Sequence, residues 1–312
     1  MENDARVDIC IATYRRPELL ELLLRSLVAM DMTGFQVRVI VIDNDHRASA
    51  GVVVDRYRVT KTPFSIFYDV EPIQGISYAR NRALRHIDAD YAAFLDDDET
   101  VSSGWLQSMM HALHHYGADV VFGPVIGLLP EGAPKWSSKH PSFKRPRHSS
   151  GAILATGATG NVLFRVFAIG QPRQQFNSAY ALTGGEDTDY FSLLHRSGVR
   201  MIWCDEGEVF ESISEERLNI KWICRRGYRG GQQFYKRVVQ SYSAPNKFLW
   251  FSIKIAQTIT ASLFLPIIAI VSFSQAVIIL TRISASMGQL SMSIGMSCYQ
   301  EYRPDRYRTG SE

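Results

Sequence analysis

Ala92-Ala93-Phe94-Leu95-Asp96-Asp97-Asp98-Glu99-Thr100 runs from apolar residues straight into a row of acids. A strand reaching the surface often meets one Asp, because Asp favours turns and is solvated there. Adjacent carboxylates are different: like charges this close raise one another's pKa and cost free energy unless a cation compensates them. A divalent metal is the usual remedy, since carboxylates on a tight turn present hard oxygens to Mg²⁺ or Mn²⁺ and leave positions open for phosphate. On these residues alone, a metal or nucleotide site and a solvated turn both stand.

The surroundings narrow the choice. Apolar runs of strand length occupy Val7–Ala12, Gln36–Asp43, Phe64–Val70 and Tyr91–Leu95. Between them lie helical patterns, one opened by Pro17 with a stripe of Leu20, Leu23, Leu24, Leu27 and Val28, another carrying Ile76, Ala79, Ala83, Leu84 and Ile87. Alternating strands and helices, with strands reading as continuous apolar runs, predict an α/β fold: a mostly parallel sheet covered on both faces. In such sheets ligands bind beyond the carboxyl ends of the strands. Polar clusters sit at those ends: Thr13-Tyr14-Arg15-Arg16, Asp43-Asn44-Asp45 and Asp96-Asp97-Asp98. Ala118–Ile126 and Thr156–Val166 read as further strands around a long Pro/Gly/Ser/Lys-rich loop, Gly127–Gly151, and Gly184-Gly185-Glu186-Asp187 opens a helix.

At 312 residues with 46% hydrophobic content, the chain can fill a large core, so disorder is not expected. A net charge of +3 argues against wholesale nucleic-acid binding. The charge is uneven, however: from Arg217 to Gln300 there is no acid, while Lys and Arg recur. Cys10, Cys204, Cys224 and Cys298 lack metal-ligand spacing and suit a reducing compartment, and the opening MENDARVDIC carries no secretory pattern.

Taken in order, I-C-I-A-T-Y-R-R-P, V-I-D-N, G-I-S-Y-A-R-N-R-A-L, F-L-D-D-D-E, G-G-E-D-T-D-Y and R-R-G-Y-R-G-G resemble the family 2 glycosyltransferases of GT-A fold, and among them the bacterial succinoglycan-type exopolysaccharide glucosyltransferases. The resemblance spans about residues 7–231. It implies that Thr13, Tyr14, Arg16 and Asp43 hold the uracil and ribose of a UDP-sugar, with Arg80 facing the diphosphate. It implies that Asp96-Asp97-Asp98 is the DXD motif: Asp96 and Asp97 on the donor, Asp98 and Asp96 on Mn²⁺ or Mg²⁺, with Glu211 as a further metal ligand. Asp187 is implied as the general base of an inverting transfer, with Glu186 beside it as the second catalytic acid. Acids in a helix's first turn also stabilise its dipole, which is the structural alternative. Where many relatives carry Q-x-x-R-W this chain has Arg225-Arg226-Gly227-Tyr228-Arg229-Gly230-Gly231, which points to addition of a single sugar. Arg226 and Arg229 would clamp pyrophosphate or an acceptor, or meet anionic lipid.

Ile255–Thr281 contains no charge and is long enough to cross a bilayer core, with Pro266 allowing a kink or re-entrant turn. Ile283–Tyr299 is a weaker second candidate. The basic, aromatic-bearing Lys221–Lys254 suits the anionic cytoplasmic leaflet, and Arg303, Arg306 and Arg308 favour a cytoplasmic end after two passes. The expected organisation is a glycosyltransferase domain over 1–240 and membrane-associated helices with a basic tail over 241–312. The expected partners are a UDP-sugar, a polyprenyl-diphosphate-linked oligosaccharide and membrane lipid, with no nucleic acid, at the cytoplasmic face of the cell membrane. Two rival readings are a sugar-phosphate nucleotidyltransferase, which would carry a Gly-rich loop where Thr13-Tyr14-Arg15-Arg16-Pro17 stands, and a non-catalytic nucleotide-binding scaffold.

Overall fold

The computed structural model describes Asp4–Tyr302; Arg303, Arg306 and Arg308 lie outside the described residues. The described residues form two compact units: 4–126 with Arg147–Glu211 and 301–302, and Gly127–Pro146 with Ser212–Gln300.

In the first unit strands and helices alternate: β1 (Ala5–Thr13), α1 (Pro17–Val28), β2 (Phe35–Asp43), α2 (Gly51–Val59), β3 (Ser65–Val70), α3 (Ile76–His86), β4 (Tyr91–Asp96), β5 (Glu99–Val101), α4 (Trp105–His115) and β6 (Val120–Phe122). The chain leaves along β7 (Val125–Leu128), returns for β8 (Asn161–Arg165), α5 (Glu186–Arg196) and β9 (Met201–Trp203), and leaves again along β10 (Val209–Ser212). The main sheet has the order β3-β2-β1-β4-β8-β6-β9. Its pairs are parallel except where β8 runs antiparallel between β4 and β6. Successive residues of β1 feed opposite cores: Ile9 and Ile11 pack with Leu20, Leu24 and Val41 on one face, and Cys10 packs with Ile42, Ala79 and Phe94 on the other. Two-sided burial is why these strands read as unbroken apolar runs.

Two strand expectations change in detail. Ala118–Ile126 is divided at Gly123-Pro124, where proline cannot supply a ladder N–H and a Cβ on Gly123 would stand 2.3 Å from the Gly207 carbonyl oxygen. Only Asn161–Arg165 of Thr156–Val166 is strand.

The second unit contains α6 (Ile220–Arg237), α7 (Ala244–Val271) and α8 (Phe273–Ser293), and α8 packs on both others. A small apolar core gathers Trp136, Phe143, Ile213, Ile223 and Val277. Glycines let α6 and α8 approach closely: a Cβ on Gly231 would stand 1.9 Å from the Ala285 carbonyl oxygen, and one on Gly288 would stand 2.0 Å from that of Tyr228. The uncharged stretch Ile255–Thr281 is therefore not one helix. Helix α7 runs through Pro266 and stops at Ser272, whose backbone is extended and whose hydroxyl accepts the Gln275 N–H (3.4 Å) to start α8. Among the described residues, α7 is the one helix long and apolar enough to cross a membrane, and it has no buried residue.

Candidate active site

Register places the polar clusters together. Thr13 pairs with Asp43, Asp43 with Val70, and Ala12 with Asp96, so the ends of β1, β2 and β4 share one edge.

The acidic turn after β4 is held by side chains from the loop after β1. The buried Thr13 hydroxyl donates to Asp97 Oδ2 (2.8 Å), and Arg16 Nη1 donates to Asp97 Oδ1 (3.2 Å) and Asp98 Oδ2 (3.4 Å). Asp97 is thus turned inward. Burial pushes its carboxyl up to about 6, and Arg16 opposes that rise. Glu99, at 2% exposure, accepts the Asp96 N–H at Oε2 (2.8 Å), so the last acid of the row fixes the first. Gly160 makes this possible, because a Cβ there would lie 2.6 Å from Glu99 Oε1 and 3.2 Å from Asp96 Oδ2. Glu211 on β10 stands opposite Glu99 in antiparallel register and is also buried.

Arginine links this turn to the second acidic cluster. Buried Arg80 on α3 donates from Nη2 to Asp96 Oδ1 (3.0 Å) and from Nη1 to Glu186 Oε1 at the start of α5. Glu186 is 3% exposed and its Oε2 is buried without a partner, so burial pushes its pKa up while Arg80 opposes the shift. Asp187 is less buried, and its Oδ1 accepts the Thr188 N–H (2.6 Å). The preceding Gly185 has φ 91°, a left-handed turn that suits glycine.

The other strand-end residues are also built in. Arg15 adopts φ 54°, uncommon for a non-glycine, lies 5.0 Å from the Tyr14 ring centroid, and bonds Asp45 (3.1 Å). Asp43 is fully buried and accepts the Asp45 N–H (2.9 Å), the Ala50 N–H (2.7 Å) and the Tyr68 hydroxyl (3.0 Å); it braces the Asp45–Ala50 turn. Asn44 donates to the carbonyls of Glu71 (2.9 Å) and Ile73 (2.8 Å) and accepts the Gly75 N–H (2.8 Å), which fixes the approach to α3.

The structure brings Thr13, Arg16, Asp96, Asp97 and Asp98 into one network, and Arg80 carries it to Glu186. Among the described residues no group of three or more His, Cys, Asp or Glu could hold a metal by itself, so Asp96, Asp98 and Glu211 form no closed cage. Arg226 and Arg229 belong to α6 in the second unit, with Arg226 over the Trp222 ring (5.4 Å). Sequence reasoning missed Glu99 and Asn44 as organisers. Glu99 had a signal, being the last of the acidic row, whereas Asn44 becomes meaningful only once the β3–α3 loop is seen beside it.

Residues 8–171 match glycosyl transferase family 2. The succinoglycan biosynthesis protein ExoM of Rhizobium meliloti (strain 1021) is 40% identical over 237 residues, covering 74% of this chain and 75% of that protein. The chain belongs to glycosyl transferase family 2. Its fold is that of solved members of the GT-A group. Mannosyltransferase PcManGT from Pyrobaculum calidifontis, in complex with GDP-Man and Mn²⁺, superposes with a TM-score of 0.59 at 16% identity over 95% of this chain and 77% of that one. S. aureus TarS 1–349 with UDP-GlcNAc gives 0.53 at 16% identity over 93% and 92%. These two glycosyltransferase-fold structures hold different nucleotide sugars, so the fold alone leaves the donor open.

Proposed function

We propose that this chain is an inverting, metal-dependent glycosyltransferase that moves one hexose, glucose being expected, from a UDP-sugar to a polyprenyl-diphosphate-linked oligosaccharide. The setting is exopolysaccharide assembly at the cytoplasmic face of the cell membrane. The observation that carries this reading is the buried Arg80 bridge between the strand-end acids and the Glu186-Asp187 cluster. The relative active in succinoglycan biosynthesis supports the pathway class, and TarS with UDP-GlcNAc supports a uridine nucleotide.

Donor chemistry fits Mn²⁺ or Mg²⁺. Asp98 and Asp96 offer hard oxygens on one turn, Glu211 is a further candidate, and an ion that keeps most positions for phosphate and water needs no all-protein cage. Such an ion, when bound, neutralises charge developing on the departing diphosphate. Tyr14 offers a ring face to uracil, while Asp97, tied to Thr13 and Arg16, holds the turn in shape.

Asp187 is the base. It accepts the proton of the acceptor hydroxyl as that oxygen bonds to the anomeric carbon, while the carbon–oxygen bond to the diphosphate breaks and its electron pair leaves with UDP. One displacement inverts the centre. Glu186, buried and ion-paired, positions Arg80 and the start of α5 instead of exchanging protons with substrate. Helix α7 supplies the membrane attachment, Lys247 and Lys254 meet anionic headgroups, and Arg226 and Arg229 serve the acceptor's diphosphate or the same headgroups.

The test measures UDP binding and UDP-glucose turnover with and without Mn²⁺. Asp98→Ala is expected to abolish the Mn²⁺ enhancement of binding. Equal turnover in excess chelator would remove the metal from the proposal.

A further inference from the structure

Glu301 and Tyr302 follow α8 in sequence yet belong to the first unit. The Tyr302 N–H donates to the Leu182 carbonyl (3.1 Å), and the Tyr302 carbonyl accepts from Gln74 Nε2 (3.2 Å) across 228 positions of sequence. A segment beyond the last helix is poorly ordered unless something ties it down. Here both backbone groups of one residue are engaged.

The two anchors matter because of what they adjoin. Leu182 lies just before Thr183-Gly184-Gly185, the lead-in to Glu186 and Asp187. Gln74 precedes Gly75, the N-cap of the helix that carries Arg80, and its side chain also hydrogen-bonds Tyr14. Gly75 has φ 147°, and a Cβ there would stand 2.7 Å from the Ala181 Cβ, so the two loops already touch at their bases. The Ile76 N–H donates to the Ala181 carbonyl (3.1 Å) at the same junction.

We propose that Tyr302 is a positioning residue of the nucleotide-sugar site, its main chain strapping the Tyr14–Gln74 side to the loop that delivers Asp187. The strap sets the separation of those two walls and thereby supports donor affinity. It rests on the proposed UDP-sugar reading for its ligand, but its structural half stands without it. Losing the Tyr302 N–H releases Leu182, and the loop ahead of the base gains freedom.

The experiment uses the full chain with Tyr302→Pro, which removes the N–H, and Tyr302→Phe, which retains backbone and ring. Amide hydrogen exchange is measured without nucleotide, and UDP affinity is measured by calorimetry with Mn²⁺. Tyr302→Pro is expected to raise exchange at least tenfold over residues 182–187 and weaken UDP about fivefold with an unchanged melting temperature, while Tyr302→Phe stays within twofold of wild type in both. Unchanged exchange in Tyr302→Pro overturns the strap, whatever the nucleotide result. Raised exchange with unchanged UDP affinity overturns its role in donor binding. If wild type itself does not bind UDP, the UDP-sugar reading fails, and the exchange result still decides the strap.

Discussion

Among the described residues, all the buried charged side chains lie in the first unit: Asp8, Asp43, Asp45, Glu71, Arg80, Asp97, Glu99, Glu186 and Glu211. The second unit buries polar groups too, but they are Ser137, His140, Gln232 and Ser291, and burial lowers the pKa of His140. Desolvating an ion costs several kcal/mol, so a fold tolerates it where pairing and chemistry compensate. The first unit meets that condition through arginine: Arg38 closes on Asp8 (2.7 Å), Arg16 on Asp97 and Arg80 on Glu186. In the second unit the fitted parts are neutral. Gln232 donates to Ser291 (3.2 Å) and to the Ser297 carbonyl (3.3 Å) and accepts the Tyr299 N–H (2.8 Å), beside helices pressed together at glycines. One unit buries charge in arginine pairs; the other uses neutral contact to hold helices close.

If that contrast is right, the largest effect should come from removing a reactive group. Asp187→Asn is expected to lower transfer about 10³-fold, or about 4 kcal/mol of barrier, with UDP affinity unchanged. A small rate effect would return Asp187 to a role in stabilising the helix start. Next comes the buried bridge: Arg80→Met strands Glu186 and should destabilise the first unit by about 3–5 kcal/mol in denaturant unfolding. A double variant, Arg80→Met with Glu186→Leu, should recover much of that loss, as breaking a pair is worse than replacing it.

Smaller effects probe the second unit. Gly231→Ala should destabilise by about 1–3 kcal/mol, because its Cβ meets the Ala285 backbone, whereas exposed Gly230→Ala, with open space around it, should stabilise by about 0.5–1 kcal/mol. Thermal melts of these neighbours should therefore move in opposite directions. The slightest effect concerns pH. His140 Nδ1 accepts the Ser142 N–H (3.2 Å), so its Nε2–H donates to Thr281 Oγ1 (3.1 Å), and its folded pKa lies below the usual 6.5, first through burial and then through Arg226. A depressed histidine contributes stability that is present above its unfolded pKa and lost as pH falls from there through the folded pKa. His140→Gln should flatten the loss of stability as pH falls below about 6.5, read from melts across acidic pH.

Legibility followed the same division. The ends of β1, β2 and β4 were readable because two-sided burial writes continuous apolar runs and the polar clusters begin where the runs stop. The antiparallel direction of β8 was not, since strand direction leaves no mark in composition. In the second half, Gly227 and Gly231 read as part of a basic cluster because their partners, Thr281 and Ala285, lie far along the chain. Ser272 was lost in an apolar stretch because its effect is a backbone turn and a cap, which hydropathy does not register. Within the site, the acidic row and Glu186-Asp187 stood out by charge. The Thr13–Asp97, Glu99–Asp96 and Arg80–Glu186 contacts were not legible, since each joins chain segments that only folding brings together or turns inward a residue that looks exposed.

The segment Glu301–Tyr302 docks on a unit whose strands were all made long before it. A ribosome delivers the chain from its beginning, so the sheet can form while α6, α7 and α8 are still being synthesised, and Leu182 waits for its partner until those helices have emerged. Cutting the chain after α6 to obtain a soluble enzyme would discard Tyr302 along with the apolar helix. Excising Ala244–Val271 and rejoining the ends would spare it.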